Sequence, residues 1–471
     1  MIIIVTESNW CYTEIEKNAE IRWNMEIRLP SDVKLIIEKL RHNGYSGYAV
    51  GGCVRDSLRG VTPHDWDLTT SAPPEEIERI FAEYQTVSVG KKYGTVAVIV
   101  EGELYEITTY RIDGEYTDSR HPDEVRFSDR LSDDLERRDF TVNAMAYNDE
   151  DGLVDLYGGQ QDLNNGVIRC VGDPIERFSE DALRILRALR FAATLGFTIE
   201  PATSDAILRQ RKLLSDIAGE RIREELLKLL CGEHTDFVLR RYRSVIAVFI
   251  PELKGTFDFE QNSKHHNRDV YRHTVAAVHN IEPQPLLRVT MLFHDIGKPL
   301  AQTTDKFGVS HYKNHPKIGA AMTREILRRL RMSSAFIDEV CDLIRWHDER
   351  FVPDAVLLKG YLRRLGVEVM QALMLIQHAD ILAQSKYKRE EKLRNLSAVS
   401  DELNRIIAAG ECYSLRQLTV NGSDLLHIGV SSGVQIGKTL DLLLDKVIAG
   451  ALPNEKEALL AYAESTIDKE S

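Results

Sequence analysis

The chain has 471 residues, of which 43% are hydrophobic and 28% are charged. A chain of this length exceeds what one hydrophobic core organises, so we expect two to four domains. No run approaches the roughly 20 consecutive apolar residues of a membrane-spanning helix, and the apolar start at residues 1–5 is too short for a signal peptide. These features predict a cytoplasmic protein with no membrane partner.

The net charge of −13 gives no sign of a general nucleic-acid binder, so any polyanion must meet a local basic patch. The six cysteines include no C-x-x-C pair, which argues against a disulfide framework and against a thiolate zinc site. We expect them to be reduced thiols.

Residues 29–166 mix helical and β patterns. A helix is predicted at 31–40 and a strand at 95–100. Beyond residue 174 the β signals vanish and long amphipathic segments follow, such as the helix predicted over 180–195. The predicted fold class is therefore α+β, with a mixed head followed by a nearly all-helical remainder.

The first 24 residues fit neither pattern, because a short apolar start is followed by a polar, charged run. Met25 stands just before the first well-formed helix. We expect translation to begin at or near Met25, with residues 1–28 forming a leader that is disordered or absent.

A double-glycine turn follows the first predicted strand, in the run Gly51-Gly52-Cys53-Val54-Arg55. Backbone N–H groups in such a turn can approach a phosphate, and an arginine one turn into the helix can supply a charge-assisted fork. A double glycine alone usually marks only a turn.

A D-x-D pair strengthens the phosphate interpretation. Residues two apart in a strand face the same side, so Asp65 and Asp67 converge if this segment is a strand. Two aspartates on one face repel each other unless a cation joins them, and paired oxygen ligands suit Mg²⁺. A polar edge strand is the alternative for D-x-D by itself.

A polar stripe marks the segment that opens the helical part, where Asp181, Arg184, Arg187 and Arg190 recur every three residues. An i,i+3 ladder of salt bridges is the ordinary interpretation of this spacing, although an aspartate beside an arginine is also what reading a base edge requires. Each step of three falls about 60° short of a full turn, so on one helix Arg190 would point away from Asp181.

Together with the run RRDFT at residues 137–141, these elements resemble the class II tRNA nucleotidyltransferases, which are the bacterial CCA-adding enzymes and their poly(A) polymerase relatives. The resemblance implies a head similar to polymerase beta. Within it, Gly52 and Arg55 would hold the triphosphate, and Asp65 and Asp67 would bind the catalytic Mg²⁺.

The same resemblance assigns nucleotide contacts further along the chain. Arg138 would contact the ribose. Asp181 and Arg184 would pair with the base of CTP or ATP, while Arg187 and Arg190 would assist nearer the phosphates.

Eight of the 14 histidines lie between residues 265 and 347. Their order, with the pair His294-Asp295, resembles the H…HD…D signature of the HD phosphohydrolase superfamily, including the two further ligands of its binuclear members. The resemblance implies a metal site formed by His273, His294, Asp295, His315, His347 and Asp380. Imidazole with carboxylate suits a transition metal. Relatives often keep such a domain only as a helical scaffold, but here the ligand set is complete.

The predicted organisation has five parts. They are a leader at 1–28, a nucleotidyltransferase head at 29–166, a helical neck with the base template and RNA contacts at 167–260, an HD-type body at 261–395 and a helical tail at 396–471. In the tail, residues 433–439 invite a P-loop interpretation, which we reject because the spacing is one residue short and no strand precedes it.

The leading hypothesis is an enzyme that adds C, C and A to tRNA 3′ ends from CTP and ATP, with no DNA partner. An enzyme that adds only the final A, or a poly(A) polymerase, shares every motif. Residues 110–122 look like the flexible loop that the family needs for A addition, which disfavours an enzyme adding only CC. From other classes, an HD-type metal phosphohydrolase or phosphodiesterase and a non-catalytic RNA-binding protein stay as alternatives.

Overall fold

The structure is a computed structural model that describes residues 27–88, 90–113, 125–430 and 433–467. The predicted leader with Met25 lies almost entirely outside the described residues. Most of the predicted flexible loop at 110–122 also lies outside them.

The chain forms two compact units. The first comprises the chain up to Asp181 together with residues 198–206, and the second comprises residues 182–197 and the chain from residue 207 onwards. The segment predicted as the head, 29–166, falls within the first unit.

The first unit is a mixed sheet flanked by helices. Its strands are β1 (Gly47–Val50), β2 (Leu68–Thr70), β3 (Gln85–Val87), β4 (Thr95–Val100), β5 (Glu103–Thr109), β6 (Arg111–Asp113), β7 (Val125–Phe127), β8 (Met145–Asn148), β9 (Gly152–Asp155), β10 (Val167–Ile168) and β11 (Thr198–Ile199). Its helices are α1 (Ser31–His42), α2 (Gly52–Leu58), α3 (Pro74–Ile80), α4 (Leu131–Glu136), α5 (Gly159–Asn165) and α6 (Pro174–Glu180). The main sheet has the order β3-β4-β5-β2-β1-β8-β9, in which β2 and β5 run parallel and the other neighbours run antiparallel.

The first helix shows why the sequence pattern forms this layer. In α1, four apolar side chains at helical spacing are buried, namely Val33, Ile36, Ile37 and Leu40. Burying each contributes about 1.5–3 kcal/mol, which makes packing rather than propensity the main stabilisation of a helix this short. The predicted helix at 31–40 is confirmed.

The second unit is almost entirely helical. Its helices are α7 (Leu183–Leu195), α8 (Pro201–Gln210, which continues from the first unit), α9 (Gly219–Leu230), α10 (Thr235–Arg241), α11 (Arg243–Phe249), α12 (Val270–Asn280), α13 (Pro285–Phe293), α14 (Lys298–Ala301), α15 (His315–Arg329), α16 (Ser334–Trp346), α17 (Ala355–Leu365), α18 (Val367–Ala383), α19 (Arg389–Ala408), α20 (Gly422–His427), α21 (Gly433–Ile448) and α22 (Lys456–Ile467). The prediction of a mixed head followed by a nearly all-helical remainder is confirmed. Among the described helices, none alone is long and apolar enough to span a membrane, and one pair, α17 with α18, passes that test jointly but is bent by 112°.

Two short strand pairings correct the expectation that β structure ends at residue 174. β11 pairs in parallel with β10, and the strands β12 (Thr303–Thr304) and β13 (Ser310–His311) form a hairpin between α14 and α15. Strands of two residues are too short to show a period of two, so no sequence pattern marks them.

The single helix predicted over 180–195 is also wrong. α6 ends at Glu180, Asp181 is extended with φ −137° and ψ 103°, and α7 begins only at Leu183. Aspartate competes with the helical backbone for hydrogen bonds, which makes it a natural point for this break. The angular relation expected between Asp181 and the arginines therefore does not hold.

The rejection of a P-loop is confirmed, because residues 433–439 begin the regular helix α21 rather than a turn after a strand. α21 buries Leu443, Leu444 and Ile448 against the apolar core of the tail, which also contains Leu425.

The backbone at Gly297, just before α14, packs directly against the backbone at the start of α15. A Cβ built on Gly297 would lie 2.3 Å from the carbonyl oxygen of His315 and 2.6 Å from the backbone nitrogen of Gly319. Both atoms belong to the backbone, so no side chain can swing aside. By contrast, a Cβ on Gly360 within α17 would meet no atom within 4 Å.

We therefore expect Gly297→Ala to destabilise the protein by about 2 kcal/mol or more through overpacking. The matched variant Gly360→Ala should leave stability unchanged or raise it by up to about 1 kcal/mol, since alanine favours the helix. Calorimetric melting of both variants checks this, and equal melting temperatures would contradict it.

Candidate active site and metal centre

The double-glycine turn connects β1 to α2 as the sequence predicts. Gly51 has φ 84°, a left-handed conformation that favours glycine, and a Cβ there would lie 3.1 Å from Nη1 of Arg138. Arg55 is buried and donates to the Asp56 carboxylate at 2.9 and 2.8 Å and to Oδ1 of Asn143 at 2.6 Å. Two guanidinium groups thus flank the turn, which suits an anionic ligand.

Asp65 and Asp67 precede β2 instead of lying inside a strand, which corrects their predicted placement. The backbone N–H of Val50 donates to the carbonyl oxygen of Asp67 at 3.0 Å, so the segment pairs with β1 only from Asp67 onward. The two side chains still lie close enough for the charge of Asp65 to raise the pKa of Asp67.

Glu106 is a third carboxylate at this place. In the parallel pairing of β2 with β5, Leu68 lies opposite Ile107, so Asp67 and Glu106 stand side by side one residue earlier. Desolvation by the surrounding protein raises the pKa of Glu106, and the charges of Asp67 and Asp65 raise it further. We call Asp65, Asp67 and Glu106 the carboxylate cluster.

The electrostatics of the carboxylate cluster favour a bound cation. Desolvation raises the pKa of Asp67, Arg138 partly lowers it, and Asp65 raises it again. Asp67 and Glu106 remain exposed to solvent, so a ligand can reach them. Oxygen ligands of like charge at one point are the donor set that Mg²⁺ takes in proteins.

Arg138 is held in place by a hydrogen bond to Asp134. The fully buried carboxylate of Asp134 accepts from Nη2 of Arg138 at 3.0 Å, from Nη2 of Arg137 at 2.6 Å and from the Thr69 hydroxyl at 3.2 Å. Burial alone would raise the pKa of Asp134, but Arg138 and Arg137 lower it below its usual range. Asp134 therefore stays ionised and fixes the arginine that flanks Gly51.

The four residues predicted to read the base fall in different settings. Asp181 ends the continuous part of the first unit, whereas Arg184 is buried on α7 of the second. Arg187 and Arg190 both reach Glu225 on α9, with Arg190 Nε at 2.8 Å from Oε2 and Arg187 Nη1 at 3.8 Å from Oε1.

A second polar site lies within the helical unit, where six side chains predicted from the sequence come together. They are His273 on α12, His294 and Asp295 directly after α13, His315 at the start of α15, His347 directly after α16, and Asp380 on α18. We call these six residues the histidine centre.

Asp295 joins two ligand groups of the histidine centre. On one side, Nε2 of His273 lies 3.4 Å from Oδ2 of Asp295 and 2.9 Å from Oδ1 of Asp380, with His294 nearby. On the other side, Nε2 of His315 lies 3.4 Å from Oδ1 of Asp295 and 3.3 Å from Nε2 of His347. Two sets of three ligand atoms are each compact enough to hold one metal ion, one from His273, His294 and Asp295 and the other from Asp295, His315 and His347.

Backbone carbonyls orient three of the imidazoles. Nδ1 of His294, His315 and His347 lies 2.7–2.8 Å from the carbonyl oxygen three residues earlier in each case. A carbonyl oxygen only accepts, so Nδ1 carries the proton and Nε2 offers its lone pair to the centre. This is the arrangement that metal-binding histidines adopt.

The charge of the histidine centre also suits a cation. Burial alone would lower the pKa of His294, but Asp295 and Asp380 raise it to about 10. The imidazoles in turn hold the pKa values of Asp295 and Asp380 well below the usual range despite burial. The carboxylates of Asp295 and Asp380, facing four imidazoles, therefore fit transition-metal ions.

Glu106 is a candidate site residue that the sequence patterns did not predict. It follows Tyr105 in an ordinary alternating strand, and only the pairing with β2 places it beside Asp67. A carboxylate on the strand next to a D-x-D segment was the available signal.

Three family models match the chain. They are the poly(A) polymerase head domain over residues 47–169, the RNA- and SrmB-binding site of polymerase A over 196–255, and the tRNA nucleotidyltransferase domain 2 over 315–463.

Relatives match along nearly the whole chain. The CCA-adding enzyme of Levilactobacillus brevis is 34% identical, with 92% of this chain and 98% of the relative covered. That of Ligilactobacillus salivarius is 32% identical, with 92% and 96% covered. Among solved structures, the Bacillus stearothermophilus CCA-adding enzyme in complex with CTP superimposes with a TM-score of 0.69 at 28% identity, covering 94% of this chain and 99% of that one. The chain therefore belongs to the family of bacterial class II CCA-adding enzymes.

Proposed function

We propose that this chain adds C, C and A to the 3′ ends of tRNA from CTP and ATP in the cytoplasm, with the carboxylate cluster as its catalytic centre. Membership of the CCA-adding family supports the reaction. The observation that carries the residue assignment is the register of β2 with β5, which brings Glu106 beside Asp67 next to the Gly51 turn.

The carboxylate cluster would hold divalent metal, which we propose is Mg²⁺. When bound, Mg²⁺ supplies the positive charge that lowers the pKa of the RNA 3′-hydroxyl and neutralises the departing pyrophosphate. Gly52 and Arg55 would hold the triphosphate at the turn, and Arg138, fixed by Asp134, would contact the nucleotide from the other side.

The base would be read by Asp181 and Arg184, an assignment that rests on the resemblance to the family. Arg187 and Arg190 share the carboxylate of Glu225, which supports a positioning role for both. The loop at 110–122, which favours addition of the final A, lies mostly outside the described residues.

Neutralising the carboxylate cluster tests its role. We expect Asp67→Asn to lower nucleotide incorporation by about a thousandfold, since several kcal/mol of charge stabilisation in the transition state are lost. Glu106→Gln should also lower it. Because the fold raises the pKa of both groups, their ionised forms cost stability at neutral pH, so both variants should melt at or above the wild-type temperature.

The matched control is Glu103→Gln, which removes the same charge from an exposed position at the start of β5. It should leave incorporation of CTP and ATP unchanged. Near-normal incorporation by Asp67→Asn would overturn the assignment.

A second candidate function is metal-dependent hydrolysis of phosphate esters by the histidine centre. The specific observation is that five ligands form two compact sets and that Asp380 contacts His273, while three of the histidines have Nδ1 bound to a carbonyl. When bound, transition metals supply Lewis-acid activation of water for attack on phosphorus.

Metal analysis tests this second function. We expect the wild type, loaded with Mn²⁺ or Co²⁺ after chelation, to retain about two ions per chain, as the two ligand groups joined by Asp295 imply. His347→Gln should retain fewer, while Asp67→Asn should retain as many as the wild type. Absence of stoichiometric transition metal, together with no hydrolysis of p-nitrophenyl phosphate or of 2′,3′-cyclic phosphates, would rule the function out.

A further inference from the structure

The histidine centre has one open side. The side chain of Asp380 is 20% exposed, whereas none of the other five ligand side chains exceeds 6%. Among the six ligands, Asp380 is therefore the one that solvent reaches most, so the residues around Asp380 lie where a solute would approach the centre.

Gln384 and Lys392 stand at this opening. Nε2 of Gln384 donates to Oδ2 of Asp380 at 2.7 Å, and its Oε1 accepts from Nζ of Lys392. Lys392, in the first turns of α19, also donates to Nδ1 of His265 at 3.2 Å. The lysine is thus linked to the centre through a single amide.

The ammonium group of Lys392 has only neutral partners. Within the described part of the chain it pairs with no carboxylate, unlike Lys359, which lies 3.2 Å from Glu411, or Lys456, which lies 2.6 Å from Asp424. Two acceptors occupy two of its three N–H groups, which leaves one donor unused.

This arrangement costs stability and so calls for another explanation. Lys392 is half-buried, and its burial lowers its pKa although Asp380 raises it. Burial lowers the pKa of His265, and the nearby charges of Lys392, Arg350 and Lys388 lower it further, so several cations lie near the opening. The charges of Asp380 and Asp348 only partly offset the cost of burying Lys392, and no carboxylate among the described residues contacts its Nζ, so an anion that bound there would stabilise it.

We propose that Lys392 binds the terminal phosphate of the substrate of the histidine centre, and that this substrate is a phosphomonoester. The proposal rests on the hydrolytic function proposed above. A monoester phosphate has three terminal oxygens and about −1.5 to −2 charges, whereas a diester has two such oxygens and one charge. On the open side, the ammonium group of Lys392 can pair with the extra oxygen and negative charge that a monoester phosphate has and a diester lacks. Lys392 therefore favours monoesters.

Binding of inorganic phosphate to the full-length, Mn²⁺-loaded protein tests the proposal by calorimetry. Lys392→Met should weaken phosphate binding about tenfold or more, the usual contribution of a charge-assisted hydrogen bond, with metal content unchanged. Lys392→Arg should retain most of the affinity. The control Arg394→Met removes an exposed charge two residues further along α19 and should bind phosphate as the wild type does.

Hydrolysis kinetics test whether Lys392 favours phosphomonoesters over phosphodiesters. In Lys392→Met the KM for p-nitrophenyl phosphate should rise by a similar factor, while the KM for bis(p-nitrophenyl) phosphate should change little. Incorporation of CTP and ATP should be unaffected, which shows that the variant is folded.

Two results would overturn the role of Lys392 while leaving the hydrolytic function intact. One is unchanged phosphate binding in Lys392→Met. The other is loss of metal from that variant, since the lysine would then only position Asp380 through Gln384. A wild type that binds no transition metal would instead overturn the hydrolytic function, and the role of Lys392 with it.

Discussion

The active site of the head depends on one constraint, which is that strand pairing holds carboxylates of like charge next to each other. Asp67 and Glu106 stand side by side because β2 and β5 run parallel in one register, and a shift by one residue would turn Glu106 to the opposite face. The raised pKa values of both groups record the cost of this placement. The buried core around α1 and the sheet offsets that cost, so the cluster persists although Arg138 compensates its charge only in part.

The histidine centre differs from the carboxylate cluster, because one of its two carboxylates, that of Asp295, is buried. Asp295 would be unstable alone at 2% exposure, but imidazoles and Lys298, whose Nζ lies 2.6 Å from Oδ2, surround it. The ligands come from the ends of several helices, and the contact between Gly297 and the start of α15 brings two of those ends together. Tight backbone packing at Gly297 thus helps to position the ligands of the histidine centre. One chain therefore carries two separate sets of ligands, one of hard oxygens and one rich in imidazole, each in its own compact unit.

Sequence patterns predicted the features of the fold that depend on residues close together in the chain. The Gly51 turn with its following helix, the amphipathic helix α1 and the helical character of the second unit all follow from spacing and glycine placement. The grouping of the histidines was predicted by resemblance to a known ligand order, since their separation along the chain says nothing about distance. Glu106 was missed because its position depends on a strand partner far away in sequence. Lys392 was missed because nothing in a run of charged residues marks one lysine as having no carboxylate in contact. The break at Asp181 was missed because the flanking residues all favour a helix.

The most direct test of CCA addition by this chain uses purified protein, Mg²⁺ and three tRNAs ending before CCA, after its first C and after CC, each supplied with CTP, ATP or both. We expect CTP alone to complete CC on the shorter tRNAs and ATP then to add a single A. Extension of only the CC-ended tRNA by ATP would contradict this expectation, as would growth of an adenosine tail.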